Sequence, residues 1–170
     1  MATTKLWLQN SGYYGSLPAA WSQLTNLQAI DLSNNALTGT LPPEWSGLTV
    51  LLALALDQNY LTGPLPPSWS SMAALKLLAL DVNTLSGTLP AAWCSLADLS
   101  MLFVSNNPRL CGAVPECNVS SALSSFDGQG RLTRVGATDG TGLGVACAAL
   151  AAPPPDLPPP STTTPGRLHA

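Results

Sequence analysis

Charge is scarce in this chain of 170 residues: Asp, Glu, Lys and Arg together make up 9%, against roughly a quarter in an ordinary soluble domain. The surface must be wetted instead by Ser, Thr, Asn and Gln, which suits a secreted, glycosylated exterior. Lys and Arg number six, nowhere clustered, and the net charge is −3. With no basic footprint for phosphodiesters or anionic lipid, nucleic-acid binding is set aside. Long apolar runs are missing too. The best candidate, Leu143 to Ala152, falls short of the roughly 18 residues a spanning helix needs, so no membrane span is expected. The one histidine, His169, lies in the C-terminal tail and there is no C-x-x-C pair. That removes the usual metal ligand sets, and no nucleophile has a His base, so neither metal, cofactor nor enzymatic activity is expected. The N-terminal Met-Ala-Thr-Thr-Lys-Leu-Trp lacks the apolar core of a signal peptide.

What is present is apolar and periodic. Hydrophobic residues at 46% fill a core easily, and Trp21, Trp45, Trp69 and Trp93 follow one another at 24-residue intervals. Aligned on them, one copy reads Leu27, Ile30, Leu32, Asn35, Leu37, Gly39, Leu41, Pro42, Trp45, and the next Leu51, Leu54, Leu56, Asn59, Leu61, Gly63, Leu65, Pro66, Trp69. A third runs from Leu75 to Trp93, and partial copies flank the three. The L-x-x-L-x-L-x-x-N-x-L pattern is the leucine-rich-repeat signature. Each copy supplies one short strand with inward Leu residues, then a turn and a return segment. No copy buries its apolar face alone, so coils stack into a solenoid. The expected fold is an α/β-type repeat solenoid of about five 24-residue coils with a parallel concave sheet. Asn35, Asn59, Asn83 and Asn107 form a structural ladder serving turn backbone groups. The tryptophans belong to the core rather than to a ligand ladder.

The elements Leu37-Thr38-Gly39-Thr40-Leu41-Pro42 and Leu85-Ser86-Gly87-Thr88-Leu89-Pro90 resemble the L-x-G-x-[IL]-P of plant-type extracellular leucine-rich repeats. The LPPEWSGL and LPPSWSSM return segments, with Trp where plant receptors usually have Leu, look more like algal repeat proteins and kinetoplastid surface antigens. The resemblance covers about residues 3–117 and implies receptor ectodomains, secreted inhibitors or surface adhesins.

The first coil starts in mid-stride, without a polar capping unit, so an N-terminal truncation is expected; it would also account for the missing signal sequence. At the other end the repeat slips by one residue at Asn106-Asn107-Pro108-Arg109-Leu110-Cys111-Gly112. Four cysteines, Cys94, Cys111, Cys117 and Cys147, sit at or beyond this end, which reads as disulfide stapling in an oxidising compartment. Of three possible connectivities, Cys94–Cys117 is favoured because Cys117 lies over position 92 of the coil below, leaving Cys111 for Cys147. Asn118-Val119-Ser120 is an N-glycosylation acceptor. The boundaries are repeats over 1–117, a C-terminal cap over 118–150, and a Pro/Thr-rich stalk or linker over 151–170. Gly140 to Gly144 imitates a phosphate loop without its full spacing.

Strand residues between the inward leucines line the concave sheet in rows: Lys5, Ala29, Ala53, Leu77, Met101; Trp7, Asp31, Ala55, Ala79, Phe103; Gln9, Ser33, Asp57, Asp81, Ser105; and an outer row Asn10, Asn34, Gln58, Val82, Asn106. Candidate partner-binding residues are Trp7, Asp31, Asp57, Gln58, Leu77, Asp81, Met101 and Phe103: an apolar patch beside an acidic edge. The functional expectation is a non-catalytic recognition module, extracellular or at the cell surface, that binds a protein, peptide or glycan. A Pro-rich wall or surface-coat glycoprotein and a cytosolic scaffold are the alternatives.

Overall fold

The structure, a computed structural model, describes residues 4–126, 132–133, 138–144 and 147. The stalk over 151–170, His169 and much of 127–150 lie outside these residues. The chain winds as β1 (Lys5–Trp7), β2 (Tyr14–Ser16), β3 (Ala29–Asp31), β4 (Ala36–Thr38), β5 (Ala53–Ala55), β6 (Thr62–Pro64), β7 (Leu77–Ala79), β8 (Thr84–Thr88), β9 (Met101–Phe103) and β10 (Arg109–Gly112). Then come α1 (Asn118–Ala122), β11 (Ser125–Phe126), β12 (Leu132–Thr133) and β13 (Gly142–Leu143). The strands that open each coil build a five-stranded parallel sheet ordered β1-β3-β5-β7-β9, with Leu6, Ile30, Leu54, Leu78 and Leu102 in one register row.

One strand per coil was the expectation, and each coil carries two. The glycine-bearing segments pair as β2-β4 and as a four-stranded sheet β13-β10-β8-β6, and the Thr40–Thr62 bridge spans the break between them. Gly39 and Gly63 hold φ near +79° and +78°, a region closed to most side chains. A Cβ on Gly63 would come within 2.8 Å of the Thr40 methyl in the coil before. Glycine is therefore what lets successive coils nest at this sheet. Next comes the Leu-Pro step. Pro18, Pro42, Pro66 and Pro90 hold φ between −65° and −71° and lead into 3-10 turns at Ala19–Gln23, Pro43–Gly47, Pro67–Ser71 and Ala91–Ser95. The returns are thus 3-10, not α-helical.

The interior is continuous along the stack. Leu51, Leu54, Leu56, Leu61, Leu65, Trp69 and Met72 of one coil are all buried against their counterparts. Trp21, Trp45, Trp69 and Trp93 form a column with centroids 6.0, 6.4 and 6.4 Å apart and planes within 8° of parallel, inside the range where offset rings attract. Each buried indole N–H is satisfied: Trp45, Trp69 and Trp93 Nε1 donate to the carbonyls of Pro18, Pro42 and Pro66 at 2.9 Å. Asn59 shows how the ladder works. Its Oδ1 accepts from Leu37 N at 3.0 Å, and its Nδ2 donates to the carbonyls of Leu32 (3.0 Å), Leu56 (3.1 Å) and Asp57 (3.2 Å). Asn83 and Asn107 repeat the arrangement one and two coils on.

The segment expected as a cap continues both sheets. Leu123 bridges Leu102 and Ser124 N donates to Leu102 O at 2.8 Å, extending the first sheet past β9, while β13 pairs with β10 in the second. Asn106 N donates to Asp139 O at 2.7 Å, as Val82 N does to Ser105 O and Gln58 N to Asp81 O, both at 2.9 Å. Asp139 therefore stands in the Asp57–Asp81–Ser105 row. Gly140, at φ +68°, takes the left-handed place that Asn106 fills one coil earlier at φ +55°. The glycine-rich Gly140–Gly144 stretch is the turn and second strand of an irregular last coil, interrupted by the antiparallel hairpin β11–β12.

Candidate functional site

Pleating sends alternate strand residues to opposite faces, so the side chains flanking the buried leucines cover the outer face of the five-stranded sheet. The register stacks Lys5, Ala29, Ala53, Leu77 and Met101 in one row and Trp7, Asp31, Ala55, Ala79 and Phe103 in the next. Leu77, Met101, Asp31, Asp57 and Asp81 are half-buried, and Gln58 and Trp7 are exposed, Trp7 at 59%.

Phe103 departs from expectation. It was placed in an open apolar patch, yet only 6% of its surface is exposed. The strand pairing of Leu123 and Ser124 with Leu102 puts chain along the far side of β9, so Phe103 no longer sits at an edge. The apolar strip open to a partner consists of Leu77 and Met101.

The acidic edge is a line of carboxylates on consecutive coils. Asp31 is the best supported, accepting from Ser33 N at 3.0 Å and Ser33 Oγ at 2.6 Å. Burial raises the Asp57 carboxyl above the ordinary carboxylate range and the Asp31 charge adds to the rise, while hydrogen bonds from Gln58 Nε2, at 3.3 Å, and from its own backbone work against it. Asp81 goes further: burial first, then the Asp57 charge, lift it to about 6. Crowded like charges with no cation among them make a surface that gains when a basic group arrives.

The outer row shares one unusual conformation. Asn10, Asn34, Gln58, Val82 and Asn106 all have φ between +51° and +55°, a left-handed place that Asn visits easily and a β-branched residue does not. The signal was in the sequence as repeated Asn-Asn pairs, which the row alignment had treated only as surface. Val82 breaks it, and its apolar side chain is 43% exposed beside Asp81.

The cysteines pair as Cys94–Cys117, Cα atoms 5.6 Å apart, and Cys111–Cys147, 5.1 Å apart. The first ties the fourth 3-10 turn to the start of α1. The second ties β10 to the end of the last coil. Asn118 is engaged in the fold rather than presented to solvent: its Nδ2 donates to Leu96 O, its Oδ1 is buried without a partner, and the Ser120 hydroxyl donates to Cys117 O at 2.6 Å. Among the described residues no group of three or more His, Cys, Asp or Glu side chains is arranged to hold a metal ion, and no helix is long and apolar enough to cross a membrane.

Comparison with known proteins agrees with this geometry. The Leucine Rich Repeat family model matches residues 26–48. No curated protein matches by sequence. Among solved structures, the chain is similar to the plant peptide hormone receptor RGFR1 in complex with RGF2, at 32% identity and TM-score 0.67 over 71% of this chain and 19% of that one. It is similar to a chain of the BIR3–SERK2 complex from Arabidopsis thaliana, at 31% identity and TM-score 0.67 over 81% of this chain and 68% of that one. It is also similar to a plant ice-binding protein, at 33% identity and TM-score 0.62 over 66% of this chain and 36% of that one. The chain thus spans about a fifth of the RGFR1 receptor and about two-thirds of the BIR3–SERK2 chain.

Proposed function

The chain belongs to the plant-type extracellular leucine-rich-repeat family, and from that premise we propose that it is a non-catalytic recognition module acting outside the cell on a protein or peptide partner. The observation that carries this reading is the outer face of the five-stranded sheet, the concave surface of such solenoids. There Leu77 and Met101 are register partners, with Asp31 in the adjoining row and Asp57 and Asp81 in the row beyond it. An extended segment laid across the strands, with apolar side chains over Leu77 and Met101 and basic ones reaching the carboxylates, suits that face. RGFR1, a plant peptide hormone receptor whose structure is in complex with RGF2, is a structural precedent for a peptide. A glycan would call for several exposed aromatic platforms, and Trp7 is the one exposed aromatic in these rows. The two disulfides accord with an oxidising compartment.

Titration calorimetry with extended peptides that alternate Leu and Arg, or Leu and Glu, tests the reading. The Arg series should bind and the Glu series should not. Asp57→Lys and Leu77→Asp should each weaken binding about tenfold or more. Equal binding of both series, or indifference to both substitutions, would sink it.

A Pro-rich surface-coat glycoprotein is the second reading, favoured by the composition of residues 151–170. Recovery of the native protein only from insoluble wall material, with hydroxyproline in the tail, would support it. Ice is poorly matched: the Thr62 and Thr84 hydroxyls on the second sheet already donate to Gly39 O and Leu61 O of the preceding coil.

A further inference from the structure

The residues that enter each strand of the five-stranded sheet make a further row beside Leu77 and Met101. Gln28 N donates to Thr4 O at 2.7 Å, Leu52 N to Gln28 O at 2.8 Å, Lys76 N to Leu52 O at 2.9 Å and Ser100 N to Lys76 O at 3.0 Å. Thr4, Gln28, Leu52, Lys76 and Ser100 therefore stack coil on coil. Thr4, Gln28 and Ser100 are neutral, polar and exposed, which is the ordinary composition of a wetted edge. Leu52 and Lys76 depart from it, and they are neighbours. Leu52 is 38% exposed, and Val50, two residues earlier on the same coil, is 44% exposed. Lys76 is exposed too, and it is the one basic residue between positions 6 and 108.

Charge is thus set out in order along β7. Lys76 stands just before the strand, Leu77 and Ala79 lie on it, and Asp81 follows just past its end. Five steps of about 3.3 Å put about 16 Å between Lys76 and Asp81, too far for the two to pair. Leu52 and Ser100, which flank Lys76 in its row, are uncharged. We infer that Leu52 and Lys76 form the second edge of the partner-binding strip and select a segment that is amphoteric rather than simply basic. Its basic side chains face Asp57 and Asp81, and its other side carries an apolar residue for Leu52 followed by an acidic one for Lys76. This rests on the peptide reading of the face. A segment laid across the strands turns successive side chains to opposite sides, so those on one side recur every 6.6 Å or about that, against about 4.8 Å between the strands beneath. Two residues on one side therefore reach Leu52 on one coil and Lys76 on the next, the long lysine side chain taking up the difference. The segment reads apolar-basic-acidic-basic. A wholly basic segment would set like charge against Lys76, and a slip by one coil would set the acidic residue against Leu52 or Ser100, so the pair also fixes register.

Titration calorimetry at low salt tests this with three end-blocked peptides that share the pattern Leu-Arg-X-Arg and differ only in X, which is Glu, Gln or Lys. The Glu peptide should bind about three- to fivefold more tightly than the Gln peptide, and the Gln peptide more tightly than the Lys peptide by a similar factor, since an exposed ion pair contributes little more. Lys76→Glu should invert the order and make the Lys peptide the tightest. Leu52→Ser should weaken all three about threefold and keep their order. Both side chains are exposed, so the variants should fold as the parent does, checked by circular dichroism. Equal binding of the Glu and Lys peptides, or an order that Lys76→Glu leaves as it was, overturns the inference while the peptide reading stands. Failure of all three peptides to bind removes that reading, and the inference with it.

Discussion

Val82 should be a position where replacing the native residue strengthens the fold. Its φ of +54° matches those of Asn10, Asn34, Gln58 and Asn106, but a β-branched side chain in this region crowds its own backbone at a cost of about 1–2 kcal/mol. Asn tolerates the conformation. The main-chain bonds at this position, Val82 N to Ser105 O at 2.9 Å and Asn59 N to Val82 O at 3.2 Å, do not depend on the side chain. Because 43% of the residue is exposed, losing its buried remainder subtracts only a few tenths of a kcal/mol. Val82→Asn should therefore add about 1 kcal/mol, seen in urea melts and as a rise in Tm of about 2–4 °C for a chain of this size. Val82→Gly removes the same strain but loosens the unfolded chain by about 0.5–1 kcal/mol, so it should fall between Asn and Val. Asn34→Val should cost what Val82→Asn gains, plus the bond from Asn34 Nδ2 to Asn10 Oδ1. If Val82→Asn is neutral or destabilising while Asn34→Val is tolerated, the left-handed row carries no strain and the reasoning fails. Strain retained at an exposed apolar residue beside Asp81 points to a use. Val82→Asn should stabilise the protein and weaken peptide binding together.

Asn59→Ala leaves the buried Leu37 amide without its acceptor and takes from the Leu32 carbonyl one of its two donors, Asn35 Nδ2 remaining, and a loss of about 2–3 kcal/mol by chemical denaturation is expected. Asn35→Ala should cost roughly half as much, since the amides Asn35 serves, Ser11 N and Tyr13 N, are only part-buried. Asp81, lifted to about 6 from 3.8, holds its proton to higher pH in the folded state than in the unfolded one. Stability should therefore rise as pH falls from about 7 towards 4, and Asp81→Asn should flatten that rise in thermal melts. Folded protein offered to oligosaccharyltransferase should stay unmodified at Asn118, because its Nδ2 is held by Leu96 O. The reduced, unfolded chain should be modified, as peptide mass spectrometry would show.

The repeat was legible because each requirement recurs at the same interval. An inward Leu every 24 residues meets only its own counterpart, so Leu54 needs nothing from afar beyond Ile30 and Leu78, and a local pattern suffices for a one-dimensional stack. The second sheet was hidden for a physical reason. Tyr14-Gly15-Ser16 and Thr62-Gly63-Pro64 read as turns, since glycine at positive φ and proline both oppose a strand; they pair because the neighbouring coil has the same shape in register. The last coil escaped because Thr141 replaces the ladder Asn and a hairpin interrupts it. Phe103 was misplaced with it, since its burial depends on chain that arrives only after the repeats have ended. The same logic locates function. A residue that satisfies the translational rule is held by the stack and cannot also choose a ligand. Choice falls to the departures from the rule: Val82 where Asn is favoured, Asp57 and Asp81 where Ser33 and Ser105 stand in flanking coils, and Leu77 and Met101 where Ala29 and Ala53 precede. These departures fall on neighbouring coils of one face, which is how a symmetric scaffold acquires a single asymmetric place to bind.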